Sequence, residues 1–251
     1  SVGGFIGYSY GGTVTNSYAR AAVRGTAASA SAVGGFVGRI DGGTLTQSGS
    51  YGTVAGAMQV GGFAGWMVNG NVTKSFANSA VTETSASGTN GAGGFVGHFR
   101  NGTITESRSA GAVTGFGMVG GFVGYAEYGS GTISKSYATG AVLQQATSAL
   151  GSSSGVGGFA GFVHTNFTGT ISDVYAMGSV TGTDRVGGLV GYAGKGTITD
   201  GFATGVIQGN RSGSALGGVF GLVNTTLVNG IPPVNQSRLY FDSTSTGLNS
   251  D

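Results

Sequence analysis

Apolar positions recur along this chain at fixed offsets, and the residues between them are mostly Gly, Thr, Ser, Asn and Ala. Residues 120–142 carry the whole pattern: GGFVG, a short polar link, GTIS, a polar break, and YATGAV. The first block recurs as GGFIG at 3, GGFVG at 34, GGFAG at 61, GGFVG at 93 and 120, GGFAG at 157, GGLVG at 187 and GGVFG at 217, at spacings of 31, 27, 32, 27, 37, 30 and 30 residues. Self-similarity at a period of 20 to 50 residues signals a repeat architecture, which overrides any domain count taken from length.

Within each copy the alternation has a period of two. Thr13-Val14-Thr15 puts one β-branched residue inward between two hydroxyls, a corner follows near Asn16 and Ser17, and Ala19, Ala21 and Val23 continue as a second strand. Stacking the copies gives three apolar columns sharing one interior. They are Phe5, Phe36, Phe63, Phe95, Phe122, Phe159, Leu189, Val219; Val14, Leu45, Val72, Ile104, Ile133, Ile171, Ile198; and Val23, Val54, Val81, Val113, Val142, Val180, Ile207. A fourth column, Ala19, Ser50, Ala77, Ser109, Ala138, Ala176, Ala203, never exceeds Ser in size and marks a tight interior position. One copy cannot cover its own apolar face, so each must be buried by its neighbours. The predicted fold is an all-β β-solenoid of about eight coils, roughly 30 residues each. At about 3.3 Å per residue a coil has a perimeter near 100 Å, enough for three short faces, and eight coils about 4.8 Å apart make a rod on the order of 40 Å long.

Two features modify this picture. The connections from the last Val of one copy to the next Gly-Gly pair hold 10, 6, 11, 6, 14, 6 and 9 residues, alternately long and short. Either the duplicated unit is a pair of repeats, or two repeats complete one turn. The C-terminal stretch leaves the pattern, and its Pro232 and Pro233 interrupt strand pairing. The predicted organisation is therefore a solenoid over 1–223 and a capping segment over 224–251, since an open last coil would expose unpaired backbone groups. The N-terminus shows no such cap and starts inside a repeat without an initiator Met, as expected of a piece of something longer.

Composition narrows the function. Gly accounts for 55 of 251 residues and charged residues for only 8%, against about 25% in an ordinary domain. The expected surface is neutral and hydroxyl-rich. The net charge of +2 is scattered with no basic run, which argues against nucleic acid as a partner. There is no Cys, so disulfides and thiolate metal sites are excluded, and no apolar run approaches the roughly 20 residues that span a membrane as a helix. The calcium-binding nonapeptide of other solenoids is absent, and no cofactor is implied. His98 and His164 fall in different columns and are expected at surface or loop positions. The acids are dispersed, and the one pair on neighbouring coils, Asp173 and Asp200, lacks the third group or cleft that a glycosidase site would need. No enzyme is predicted.

Two outward columns are candidate binding features. Hydroxyl ladders flank the Val14 column: Thr13, Thr44, Thr103, Thr132, Thr170 and Thr197 on one side, interrupted by Asn71, and Thr15, Thr46, Thr73, Thr105, Ser134, Ser172 and Thr199 on the other. The position after each Gly-Gly-x-x-Gly is rich in rings: Tyr8, Trp66, Tyr125, Phe162 and Tyr192, with Arg39, His98 and Leu222 completing the column. Such rings either line a contact or pack on one another beneath the following loop.

GGLVG at 187–191 followed by GTITDGFATGVI at 196–207 resembles the GLUG repeat, a glycine-rich tandem motif of bacterial secreted and cell-surface proteins, adhesin-like proteins among them. The likeness covers residues 1 to 223, and RLYFDSTSTG at 238–247 is similar to the segment that often closes such arrays, with Phe241 where Trp is usual. The resemblance implies an extracellular or bacterial cell-surface location and a scaffold role, and it brings no catalytic residue. The favoured expectation is thus a non-catalytic structural or adhesive module whose partners are cell surface, matrix, glycan or neighbouring copies of the same chain. The alternatives are an ice-binding solenoid acting through the Thr-x-Thr ladders, and an accessory region of a secreted peptidase or polysaccharide-binding protein.

Overall fold

The computed structural model describes residues 1–26, 31–86, 90–146, 154–210, 212–226 and 233–246. The chain winds as a β-solenoid in which each repeat makes one full turn. Thr132 pairs in parallel with Thr103 of the repeat before it and Thr170 of the repeat after it, and the same holds for Ile133 between Ile104 and Ile171. Two repeats per turn would have paired every second copy. The described residues contain one helix, Ser243–Thr246.

Three parallel sheets form the walls. The first has eight two- or three-residue rungs that carry the Gly-Gly pairs, from Val2–Gly3 to Leu216–Gly217. The second and largest holds the strands after the Gly-Gly pair, such as Val123–Ala126, together with the Thr-x-Thr strands, such as Thr132–Ala138. The third has seven rungs, from Val23–Arg24 to Ile207–Gly209.

The apolar columns fall in register as their spacing predicts, but they do not share one interior. The Phe and Ile columns form the main core, in which Phe95, Phe122 and Phe159 stack at 4.7 and 4.8 Å and are fully buried. The Val23 column belongs to a second core. Its partner is the residue just before the Gly-Gly pair: Val33, Val60, Ala92, Val119, Val156 and Val186. That column lay at the end of connections that vary in length, which hid its periodicity.

The wall between the cores explains the Gly-Gly pair. A Cβ on Gly121 would lie 2.0 Å from the carbonyl oxygen of Gly158 and 3.1 Å from the Cβ of Ala138. Here the first sheet passes directly over the small column, so both positions must be minimal. Where the small residue is Ser, its hydroxyl donates to the same glycine strand: Ser50 to the Gly62 carbonyl and Ser109 to the Gly121 carbonyl, both at 2.6 Å.

The C-terminal segment adds one more rung to the second sheet. Val234–Phe241 runs parallel to Gly196–Ala203, with Gln236 at the position Ile198 holds in the coil before. Gln236 is exposed and ends the inward column with a polar group, while Phe241 lies against Gly218. Pro233 stands just before this strand and its carbonyl accepts from the Gly196 amide, so it removes no ladder donor. Pro232 lies outside the described residues.

Candidate functional site: the hydroxyl face and its borders

The face is built from strands of the Thr132–Ala138 type. Inward Val14, Leu45, Val72, Ile104, Ile133, Ile171 and Ile198 fix the orientation of each strand, so the flanking hydroxyls must point out. Thr13 pairs with Thr44, Thr103 with Thr132 and Thr170 with Thr197, while Thr15, Thr46, Thr73, Thr105, Ser134, Ser172 and Thr199 form the second column. Asn71 fills the gap in the first column and Asn235 and Ser237 extend both by one rung. Neighbouring hydroxyls can bond along the rod, as Thr73 Oγ1 does to Thr46 Oγ1 at 3.0 Å. The result is a grid with about 6.6 Å between columns and about 4.8 Å between rungs.

One border of the grid is a corner in the left-handed region. Asn16, Gln47, Lys74, Glu106, Lys135, Asp173, Asp200 and Arg238 all have φ between 48° and 55°. No glycine is used, so every corner carries a polar side chain into solvent at the cost of some backbone strain. Charges here pair loosely, as Lys74 and Glu106 do at 4.0 Å, or tightly, as Arg238 does with both oxygens of Asp200. The Arg238 hydrogen bonds hold the Asp200 carboxyl below its ordinary range. Asp200 is thereby committed to an ion pair.

Behind the corner runs a ladder of buried serines that periodicity alone did not reveal. The amides of Ser17, Ser48, Ser75 and Ser107 donate to the Oγ of Ser48, Ser75, Ser107 and Ser136 in turn, at 3.2 to 3.3 Å. Each acceptor hydroxyl then donates to the carbonyl two residues back. This satisfies amides that the corner removes from the sheet ladder.

The next outward position carries a second set of rings: Tyr18, Phe76, Tyr137, Tyr175, Phe202 and Tyr240, with Gly49 and Arg108 in the same column. Tyr137 and Tyr175 stack at 4.6 Å with 6° between planes, which turns ring edges and hydroxyls outward, not faces. Phe202 and Tyr240 are 42% and 63% exposed, so an aromatic stripe runs just beyond the corner. The signal was present in the sequence, but Gly49 and Arg108 broke it.

The ring column predicted after the Gly-Gly-x-x-Gly block packs largely on itself. Arg39 lies between Tyr8 and Trp66, 5.4 and 4.4 Å from the ring centres, and Phe162 stacks on Tyr192 at 4.5 Å. Asp41 anchors the first group through Tyr8, Asn69 and Arg39; partial burial acts to raise its carboxyl, but these hydrogen bonds prevail and hold it below its usual range. Burial, with the nearby Glu127, pushes the Tyr125 hydroxyl up to about 12.

His164 lies in a partly exposed loop, as expected, whereas His98 departs from expectation. His98 is buried, and it and His164 both meet the ring of Tyr125, at 5.0 and 5.9 Å. The Gly91 amide donates to His98 Nε2 at 3.1 Å, so Nδ1 carries the proton and faces Glu127 Oε1 at 2.8 Å. The ring clamps the returning end of a long connection onto the next coil. Both its nitrogens are occupied, which leaves no lone pair for a metal or a substrate proton. A surface reading failed for His98 because Gly91, at the end of a connection whose path the sequence does not give, packs against its ring.

Among the described residues no group of three His, Cys, Asp or Glu side chains could hold a metal ion, and no helix is long and apolar enough to cross a membrane. The architecture is that of a tandem-repeat β-solenoid. The GLUG motif matches at residues 1–24 and 117–143, and each match spans one coil from the Gly-Gly strand to the valine of the third sheet. No curated protein and no solved structure matches the chain.

Proposed function

We propose that the chain is a non-catalytic structural and adhesive module of a secreted or surface-exposed bacterial protein, with the hydroxyl grid and its aromatic border as the contact face. The observation that carries this reading is the face itself, two hydroxyl columns, broken once at Asn71, held in register through seven repeats by an inward aliphatic column. Inward residues fulfil a packing requirement, whereas nothing in the packing requires hydroxyls at both flanking positions, which six of the seven rungs carry. A neutral hydroxyl surface bordered by a few charges suits broad contact with glycan, matrix or neighbouring copies, where many weak hydrogen bonds act together. The test is retention of the chain, coated on beads, on immobilised glycans and matrix proteins. The double variant Thr103→Lys, Thr132→Lys is expected to lower retention at least tenfold while its circular dichroism stays that of the parent. Equal retention would remove the face from the proposal.

The same grid favours one second reading. Two columns mainly of Thr, with Asn71, Ser134 and Ser172 among them, on a parallel sheet present the repeating methyl and hydroxyl groups that an ice-binding face needs. Charges at the corner, from Lys74 to Arg238, hold ordinary hydration water along one border and argue for the first reading. Thermal hysteresis in the parent that the double variant loses would select the second.

A further inference from the structure

The alternation of long and short connections has a physical counterpart in a column of the third sheet. In register stand Gly56, Glu83, Gly115, Gln144, Gly182 and Gly209, so the coils with short turns supply glycine and two of those with long connections supply a polar side chain. Both side chains are fully buried. Gln144 bridges two short turns: its Nε2 donates to the Gly117 carbonyl at 2.8 Å, and its Oε1 accepts from the Thr183 amide at 2.9 Å. Glu83 makes only one side of the corresponding bridge. Its Oε2 accepts from the Phe116 amide at 2.8 Å, while its Oε1 is buried without a hydrogen-bond partner.

We propose that Glu83 is a proton-controlled peg: as a carboxylic acid it completes the bridge that Gln144 makes, and as a carboxylate it loosens the turn at 116–117 and the connection that follows Glu83. In the acid form the Oε1 hydroxyl supplies the donor that Gln144 has in Nε2, directed toward the carbonyls of the preceding short turn at 57–59. The proton comes from solvent and returns to it. In the ionised form a charge stays buried among neutral donors alone, the amides of Phe116 and Gly117 and the side chain of Asn90, and a buried charge without a counter-ion favours opening.

Among the described residues the surroundings hold no counter-charge. The strands packed against Glu83, Thr53–Gly56 and Val113–Gly115, and the turn after the second carry no titratable side chain. Gly91–Gly93 carries none, although its Gly91 amide donates to His98, which in turn meets Glu127. The side chain of Asn90 lies beside the carboxyl and also donates to the Ala57 carbonyl. Burial pushes the Glu83 carboxyl up to about 7, against the opposing hydrogen bonds of Phe116, Asn90 and Gly117. Because the folded state then holds its proton more tightly than the unfolded chain, the contribution is complete below the ordinary value of 4.5 and is lost as pH rises toward about 7.

The experiment is thermal unfolding of the whole chain at pH 4.5 to 8.5, beside the Glu83→Gln variant, which copies the Gln144 arrangement. The parent is expected to lose roughly 5–10 °C in Tm relative to the variant as pH rises through this window. The variant is also expected to be the more stable of the two above pH 7. Hydrogen exchange at the Phe116 amide should quicken with pH beyond its intrinsic rate in the parent alone. Parallel Tm profiles for the two proteins would overturn the proposal. Should the variant fail to fold, the carboxyl titration of Glu83 in the parent, followed by carbon-13 NMR, decides: a midpoint near 7 upholds the peg and one at or below 4.5 refutes it.

Discussion

Gly121→Ala is expected to cost more than about 4 kcal/mol, beyond what most single substitutions reach. The reason is steric and local. The new methyl carbon would sit 2.0 Å from the Gly158 carbonyl oxygen, which belongs to the neighbouring rung of the same sheet. That carbonyl cannot retreat, because the rung is fixed by ladder hydrogen bonds on one side and by the packed Ala138 and Ala176 positions on the other. Backbone conformation is not the cause, since Gly121 is absent from the positive-φ glycines. Gly213→Ala serves as the reference: Gly213 has φ +83° and no described residue within 4 Å of where a Cβ would stand, so only backbone strain of about 1 kcal/mol is expected there. Denaturant unfolding of both variants measures the difference, and equal costs would refute the close approach of the first sheet to the small column.

Phe122→Ala is expected to destabilise the chain by about 3–5 kcal/mol through the cavity it opens in the main core. The ring is fully buried and stacks on Phe95 at 4.7 Å and on Phe159 at 4.8 Å. Each such pair is worth about 0.5–1.5 kcal/mol beyond area burial, so removing the middle ring breaks two at once. Phe5 occupies the same column at the first rung, is 51% exposed, and stacks on Phe36 alone. Phe5→Ala should therefore cost well under half as much. A comparable loss at both positions would mean that the column does not run along the rod as described.

The sequence made the architecture legible because the fold repeats one local decision. An aliphatic residue between two small polar ones recurs in the copies, mostly β-branched between hydroxyls, with Leu45 and Asn71 as the departures, and aligning them yields the Ile133 column, the Phe122 column and the small column at Ala138 without coordinates. What it hid depends on contacts between coils. Val33 and its equivalents sit at the ends of connections that differ in length, so their common core with Val54 emerged only from the pairing of rungs. The corner from Asn16 to Arg238 carries left-handed backbone in residues as different as Lys, Glu and Gln, where a glycine or asparagine signal would be expected.

The candidate face divides along the same line. The two hydroxyl columns were readable, as was their single break at Asn71. The stripe from Tyr137 to Tyr240 was not, because Gly49 and Arg108 interrupt it, and the serine ladder at 48, 75, 107 and 136 was invisible because a serine near a corner is unremarkable until its hydroxyl is seen to serve two coils. The alternation of connections was visible but its partner was not: Glu83 and Gln144 lie inside, each reaching the short turn of a neighbouring coil.

All of these features rest on one repeat making one turn, and the absence of native cysteine makes that directly measurable. Spin labels placed by Asn16→Cys and Asp173→Cys occupy exposed corners five rungs apart, so pulsed electron–electron distance measurement should give a single population centred at roughly 24 Å. A centre near half that value, or two separate populations, would contradict the winding on which the hydroxyl face depends.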